Sequence, residues 1–530
     1  MLQATTATCR QVVKQALRHA VQTGIRPAIC ALLTVAFVLP PAAYAQNTLP
    51  ALGDGSGAEM SVGAERRLGE QIMREIRRDP DYVDDPIELE YLQSIWQPLL
   101  AAARQRGDID PQVDAQYGWE PFLVRDRSVN AFALPGGFVG VHLGMIAITS
   151  TRDELASVIA HEMSHVTQRH IARMMVNSAR QSLISMAAII LGALAATKVR
   201  GDAGSAILTG GQAAAMQGQL NFSRDMEREA DRVGYGLLAS GGFAPSGMAD
   251  MFERLGHASN LNDNSSYPYL RSHPLTTERI GEARARLGSG AVKPVDISPL
   301  EHAAARGRAR VLMDVRDDAL RRWQALDKDR SANNDADKLS AAYESALAST
   351  MLRDWSRADA SLATARNIAQ GVSAAERAVA LLAGQSLIER GDLAAAADRL
   401  QPYAGKGSRP VTLMLGQIAL APREVDKASL QRSADMLQTW VSSNPRDADA
   451  WSLLGRSWDR LAFPLRAIRA DAEARVAVGD LPGAIDRLKA GQRIARGGAS
   501  TDFIEASVID ARLRDIEQER KLQEQEKPLG

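Results

Sequence analysis

The stretch from Thr151 to Val166 constrains this chain more than any other. Apolar side chains at Leu155, Val158, Ile159, Met163 and Val166 recur three and four residues apart, the spacing that lines one face of an α-helix. Thr151-Arg152-Asp153-Glu154 opens such a helix, with Ser or Thr as the cap and acids in the first turn. The helix carries His161-Glu162-Met163-Ser164-His165. Residues four apart stand one turn above each other, so both imidazoles project to one side and are able to share one zinc ion. Glu162 lies about 100° around the axis from His161, placed to reach a water on the metal rather than the metal itself. Phe138 to Ile148, after the Pro135-Gly136-Gly137 turn, reads as a β-strand leading into this helix.

Two imidazoles leave such a site short of a protein ligand. The metzincin solution needs Gly at 168 and His at 171, and this chain has Gln168 and Ile171, which excludes it. His170 follows His165 by five residues, which on a continuous helix places it on another face, exposed. A better candidate lies in Ser223-Arg224-Asp225-Met226-Glu227-Arg228-Glu229-Ala230-Asp231. Glu227 and Asp231, four apart, share one helix face. Glu227 is then able to bind the metal while Asp231 supports a ligand histidine through its second nitrogen. Glu229 points elsewhere and is expected to be structural. Taken alone, an acid-rich helix of this kind is usually a solvated face; the upstream histidine pair changes that weighing.

These segments together resemble the zinc metallopeptidases of the CaaX-prenyl-protease and HtpX family, over roughly residues 60 to 285. The resemblance rests on four motifs in order. They are the His-Glu-x-x-His helix, the Ser-Arg-x-x-Glu-x-x-Ala-Asp segment, the run from Asn130 to Gly137 and the Ser272-His273-Pro274 element with Arg279 beyond it. It implies Glu227, rather than Glu229, as third ligand beside His161 and His165, one zinc per chain, and His273 and Arg279 facing the active site as catalytic residues. His273 would hydrogen-bond the oxyanion or occupy the fourth zinc position and keep the enzyme latent. The segment with Asn130, Ala131, Phe132 and Gly137 would pair with an extended substrate. In that chemistry Glu162 takes a proton from a water acidified by zinc and later delivers it to the leaving amine.

The N-terminal 45 residues are read as a signal peptide. They hold Arg10, Lys14, Arg18 and Arg26 and no acid, then an apolar run from Pro27 to Leu39 and Ala43-Tyr44-Ala45 as a cleavage pattern. Both cysteines, Cys9 and Cys30, lie inside it, so the mature chain would have neither disulfides nor thiolate metal ligands. The whole chain balances 63 basic against 63 acidic residues, which gives no global reason to expect a nucleic-acid partner. Without the leader the net charge would be near −4.

At 530 residues the chain needs more than one core. A linker is read at Gly288 to Pro294 and Pro299, and beyond it the sequence is rich in Ala, Leu and Arg with almost no strand pattern. Trp451, Leu454, Gly455 and Trp458, with Ala467 and Ala474, fit a tetratricopeptide-type helix pair. Degenerate second-helix patterns recur at Ala358-Leu362-Ala365, Gly391-Ala396-Leu400 and Gly479-Ala484-Leu488. The expected fold is therefore mainly α: a signal peptide over 1–45, an α+β zincin-like metallopeptidase domain with a small sheet over 46–290, and an all-α tetratricopeptide-like repeat domain over 300–525. Repeats of this kind bind proteins.

The apolar run Ser182 to Ala196, fifteen residues, is short for a bilayer span and reads as a buried helix or one lying against a membrane, beside the mobile turn Gly210-Gly211. Peripheral membrane contact is thus an expectation. Together these features imply a periplasmic zinc endopeptidase acting on misfolded or stalled envelope and outer-membrane proteins. Such proteins, and their assembly machinery, would be engaged through the repeats. The competing reading is a non-catalytic chaperone with a structural zinc. An integral prenyl-protein protease is a third, weaker reading, because the mature chain lacks the several long apolar spans it would require.

Overall fold

A computed structural model describes residues 60–177, 223–261, 267–287, 299–328, 334–422, 424, 426–497 and 502–525. The expected signal peptide, the Gly288–Pro294 linker, the run from Ser182 to Ala196 and Gly210-Gly211 lie outside the described residues.

Helix α1 (Val62–Ile76) is capped by the Ser61 hydroxyl, which accepts from Ala64 N. Strand β1 (Tyr82–Val83), helix α2 (Pro86–Arg106) and helix α3 (Pro111–Gln116) lead into β2 (Glu120–Val124), β3 (Ala131–Leu134) and β4 (Phe138–His142). The sheet order is β1-β2-β4-β3, with β4 parallel to β2 and antiparallel to β3, so β3 is a terminal strand. The β3–β4 hairpin turns at Gly136 and Gly137, whose φ values of 79° and 94° favour glycine.

The strand expected to reach Ile148 stops at His142. Its parallel partner β2 ends at the facing residue, Val124, and beyond that point there is no ladder to join. Residues Leu143–Ile148 instead wind into α4. Gly144 sits against the Arg127 and Ser128 carbonyls, where a Cβ would lie 2.3 and 2.5 Å from their oxygens.

Helix α5 (Arg152–Thr167) begins as the sequence indicates. Thr151 Oγ1 accepts from Glu154 N at 3.1 Å, and the Glu154 carboxylate accepts from Ser150 N and from Arg254. The helix is buried on nearly every side rather than along one stripe. Ser157 and Ser164 turn their hydroxyls onto the Glu154 and Ala160 carbonyls, so burying them leaves no donor unpaired. Helix α6 (His170–Asn177) follows, then α7 (Arg224–Ser240), α8 (Ser246–Leu261), α9 (Pro268–Ser272) and α10 (Thr277–Leu287). A Cβ on Gly234 of α7 would lie 3.3 Å from the Ala160 backbone; the bare glycine lets α7 close onto α5. That approach carries Glu227 and Asp231 to the histidines.

Helix α11 (Pro299–Leu312) is shared. Its Ala305, Ala309 and Leu312 join the core around α5, while Leu300, Ala304 and Val311 join the core of the helices that follow. Those are α12 (Asp317–Gln324), α13 (Asp335–Met351), α14 (Trp355–Ala369), α15 (Ser373–Arg390), α16 (Leu393–Leu400), α17 (Arg409–Leu420), α18 (Lys427–Ser443), α19 (Ala448–Arg460), α20 (Pro464–Ala477), α21 (Leu481–Arg496) and α22 (Phe503–Gln525). Among the described residues this C-terminal region is entirely helical.

A repeated device sets the corners. Arg353, Gly391 and Gly479 adopt positive φ, and Asp354, Asp392 and Asp480 directly after them cap the next helix through their carboxylates. Trp451, Leu454 and Trp458 are buried on α19, and Gly455 lies where a Cβ would be 3.3 Å from Ala467 O. No helix among the described residues is long and apolar enough to cross a membrane.

Candidate metal centre

His161 and His165 project from α5 with their Nε2 atoms 3.0 Å apart. Glu227 reaches them from α7, its Oε2 3.5 Å from His161 Nε2 and its Oε1 3.5 Å from His165 Nε2. From the end of α9, His273 brings Nδ1 to 2.9 Å from Glu227 Oε1 and 3.3 Å from His161 Nε2. One donor atom from each of these four side chains lies within 4.8 Å of every other, and all four residues are buried. Like donors rarely face each other so closely in a dry interior unless a proton or a cation lies between them. The two nitrogens, the carboxylate and the third imidazole are a suitable donor set for a transition-metal ion.

Glu162 stands beside this cluster, 0% exposed, with Oε1 3.5 Å from His273 Nε2 and Tyr269 as a second polar neighbour. Burial raises its carboxyl above the ordinary range, which suits a group that must collect a proton. Burial would also raise Glu227, but the adjacent imidazoles of His273 and His161 outweigh it and hold that carboxyl far below the usual range. His161 is pulled down by burial, yet Asp231 and Glu227 prevail and push it up to about 10. His165 lies well below its ordinary value, because it is buried among other imidazoles.

Asp231 Oδ1 lies 3.0 Å from His161 Nδ1, behind the ligand side of the ring. Arg279 faces the back of the carboxylates rather than open space. Its Nε and Nη2 donate to Asp231 at 2.7 and 2.8 Å, and its Nη1 donates to Pro274 O and stands 2.8 Å from Glu227 Oε2. One guanidinium thus ties Glu227, Asp231 and the turn after His273 together. That is the geometry of a positioning residue rather than of one touching substrate.

Ala131 and Phe132 lie on the terminal strand β3, paired with Val141 and Gly140 of β4. Asn130 is buried just before it and accepts from His142 N, while Gly137 lies in the hairpin turn, off the strand. Tyr269 N donates to Val129 O at 3.3 Å, which sets the start of β3 beside the helix that carries His273. Tyr269 itself is buried against the His273 ring, with centroids 4.7 Å apart; no motif marks it in the sequence.

Two residues set aside on helical spacing belong here. His170 is fully buried rather than exposed, with Nδ1 2.9 Å from His165 Nδ1 and Nε2 3.0 Å from Glu229 Oε2. The helix is not continuous: Arg169 adopts φ 51°, ends α5 and starts α6 in a new direction that turns His170 back onto His165. Arg169 is held there by Glu65, whose Oε2 accepts from its Nε at 3.0 Å.

With this geometry in view, residues 87–287 match Peptidase family M48. That match covers the described cluster but less than half of the chain. Across 515 residues the chain is 28% identical to the beta-barrel assembly-enhancing protease of Escherichia coli K12, covering 94% of this chain and 97% of that protein. It is 36% identical over 270 residues to a Vibrio cholerae serotype O1 protein provisionally given the same name, spanning about half of each chain, 50% and 53%. A mitochondrial metalloendopeptidase, OMA1 of Schizosaccharomyces pombe, is 27% identical over 241 residues, 44% of this chain and 64% of that one. On these matches together the chain is a metalloendopeptidase, and the four-donor cluster lies within the matched segment.

Proposed function

We propose that this protein is a periplasmic zinc endopeptidase that cleaves misfolded or stalled outer-membrane proteins during their assembly. In this reading the zinc is held by His161, His165 and Glu227, Asp231 supports His161, and Arg279 fixes the two carboxylates. The observation that carries it is the buried Glu162 carboxylate beside a converging set of metal donors, within the segment that matches Peptidase family M48. The substrate class and compartment are inferred from the names of the relatives and from the leader-like segment over 1–45.

A bound zinc ion supplies Lewis acidity, which acidifies water and polarises the scissile carbonyl. The protein does the rest. Glu162 takes the water's proton on a carboxylate oxygen and passes it to the departing amine nitrogen. The substrate backbone extends along β3 at Ala131 and Phe132, where a terminal strand offers a row of peptide groups to pair with. His273 plays two parts. It lies where it would close the donor set as a fourth ligand; displaced by substrate, its imidazole would be in place to hydrogen-bond the oxyanion. The helical pairs from α13 onward act as tetratricopeptide-like repeats that hold the client protein.

A closed four-donor set is also the form of a structural metal site, which would suit a non-catalytic assembly factor. Glu162 favours catalysis, because a structural site has no use for a buried carboxylate beside the donors that is not one of them. The test is degradation of an unfolded outer-membrane protein by the mature protein and by its Glu162→Gln variant, with zinc content measured for both. Cleavage by the wild type alone, at equal zinc, is expected. Equal cleavage by both would remove Glu162 from the mechanism, and no cleavage by zinc-loaded wild type would favour the assembly factor.

A further inference from the structure

Each metal-facing histidine of α5 has a second ring nitrogen, and the two are supported differently. Behind His161 a carboxylate stands directly: Asp231, four residues after Glu227 and on the same face of α7. Behind His165 there is another imidazole. His170 Nδ1 is 2.9 Å from His165 Nδ1, and His170 Nε2 is 3.0 Å from Glu229 Oε2, which also accepts from Arg173 Nη1 at 2.9 Å.

The proton positions follow from chemistry. An ionised carboxylate only accepts, so in the neutral ring the proton of His170 sits on Nε2 and points at Glu229. His170 Nδ1 is then a lone pair and must accept, so the proton in the 2.9 Å contact sits on His165 Nδ1. That leaves His165 Nε2 as a lone pair, facing His161 Nε2 at 3.0 Å and Glu227 at 3.5 Å. Glu229 is only two residues from Glu227 on α7, so it points away from the cluster and cannot back His165 as Asp231 backs His161. An interposed imidazole spans the gap. The left-handed turn at Arg169, braced by Glu65, is what puts that imidazole there.

We propose that Glu229 and His170 form a relay that sets the tautomer and orientation of His165 for metal binding, the counterpart through one extra ring of Asp231 behind His161. His170 is thus a positioning residue, acting through His165. The proposal rests on the metal-site reading above.

It is tested by zinc affinity, measured at fixed pH by competition with a chromogenic chelator, alongside thermal unfolding of the metal-free proteins. His170→Phe keeps the ring shape and removes both nitrogens; a 10- to 100-fold loss of affinity is expected, the usual effect of losing such support. His170→Gln offers a carbonyl that accepts from His165 Nδ1, and it should recover affinity to within about tenfold of wild type. Equal affinity in His170→Phe and wild type overturns the relay, and so does equal weakness in the Phe and Gln variants, which would reduce His170 to packing. Should His170→Phe not fold, Glu229→Leu decides from the partly exposed end: a weaker site supports the relay and an unchanged one overturns it. A wild type that takes up no zinc would instead bring down the metal-site reading, and the relay with it.

Discussion

The contact that joins α11 to the metallopeptidase core carries a pH dependence that can be worked out in advance. His302 is 0% exposed; its Nδ1 accepts from Tyr91 Oη at 2.7 Å and its Nε2 donates to Thr149 O at 3.1 Å. Both nitrogens are committed to the neutral ring, and burial, which opposes the charge, lowers the imidazole from its ordinary 6.5 to about 4. With the folded value below the unfolded one, the unfolded chain binds a proton between those two pH values and the folded chain does not. Stability from this group is therefore complete above about pH 6.5, falls as pH drops through the window, and levels off below about pH 4. At 1.36 kcal/mol per pH unit the whole effect is about 3 kcal/mol, of which about 2 kcal/mol is lost between pH 7 and pH 5. Urea unfolding followed by tryptophan fluorescence, at steps from pH 7.5 to pH 4.5, reads it out when wild type is compared with His302→Gln. The glutamine variant cannot charge in this range, so it should lack about 2 kcal/mol of the wild-type decline, whatever it loses at neutral pH. If the two proteins lose the same stability between pH 7 and pH 5, the reasoning about His302 is wrong.

Arg279→Leu removes the cation between two buried carboxylates. The metal-free protein should lose about 3–5 kcal/mol in urea unfolding, and added zinc should restore part of it by compensating Glu227; a loss below about 1 kcal/mol would count against its bracing role. A Cβ at Gly69 would lie 1.9 Å from Pro135 O, so Gly69→Ala should cost at least about 1–3 kcal/mol by pushing the β3–β4 hairpin off α1. Gly63→Ala on the same helix, where the nearest atom is an Arg67 side-chain nitrogen at 3.4 Å, is the control and should be neutral or stabilising by up to about 1 kcal/mol.

Much of the metal centre could be read in the chain because it rests on local rules. The capped helix with His161 and His165 one turn apart needs only helical geometry and a Thr151 cap, and both are present. The Glu227–Asp231 spacing likewise places two carboxylates on one face wherever that helix goes. Spacing in a sequence fixes direction only while the element continues.

Where an element stops, the tertiary structure decides. Strand β4 ends at His142 because its neighbour β2 ends there, a fact about pairing and not about the residues Leu143 to Ile148. His170 faces His165 because Arg169 takes up a left-handed conformation that Glu65, more than a hundred residues earlier, holds in place. Arg279 lies behind the metal carboxylates rather than before them because α10 approaches α7 from that side. Helix α11 divides its faces between two cores. The residue types and their local spacing by themselves determined which groups are candidates for the site and which face of their own helix each occupies. Which groups meet across helices, and which nitrogen of each histidine is left to bind a metal, depends on contacts between distant segments, and packing alone sets those.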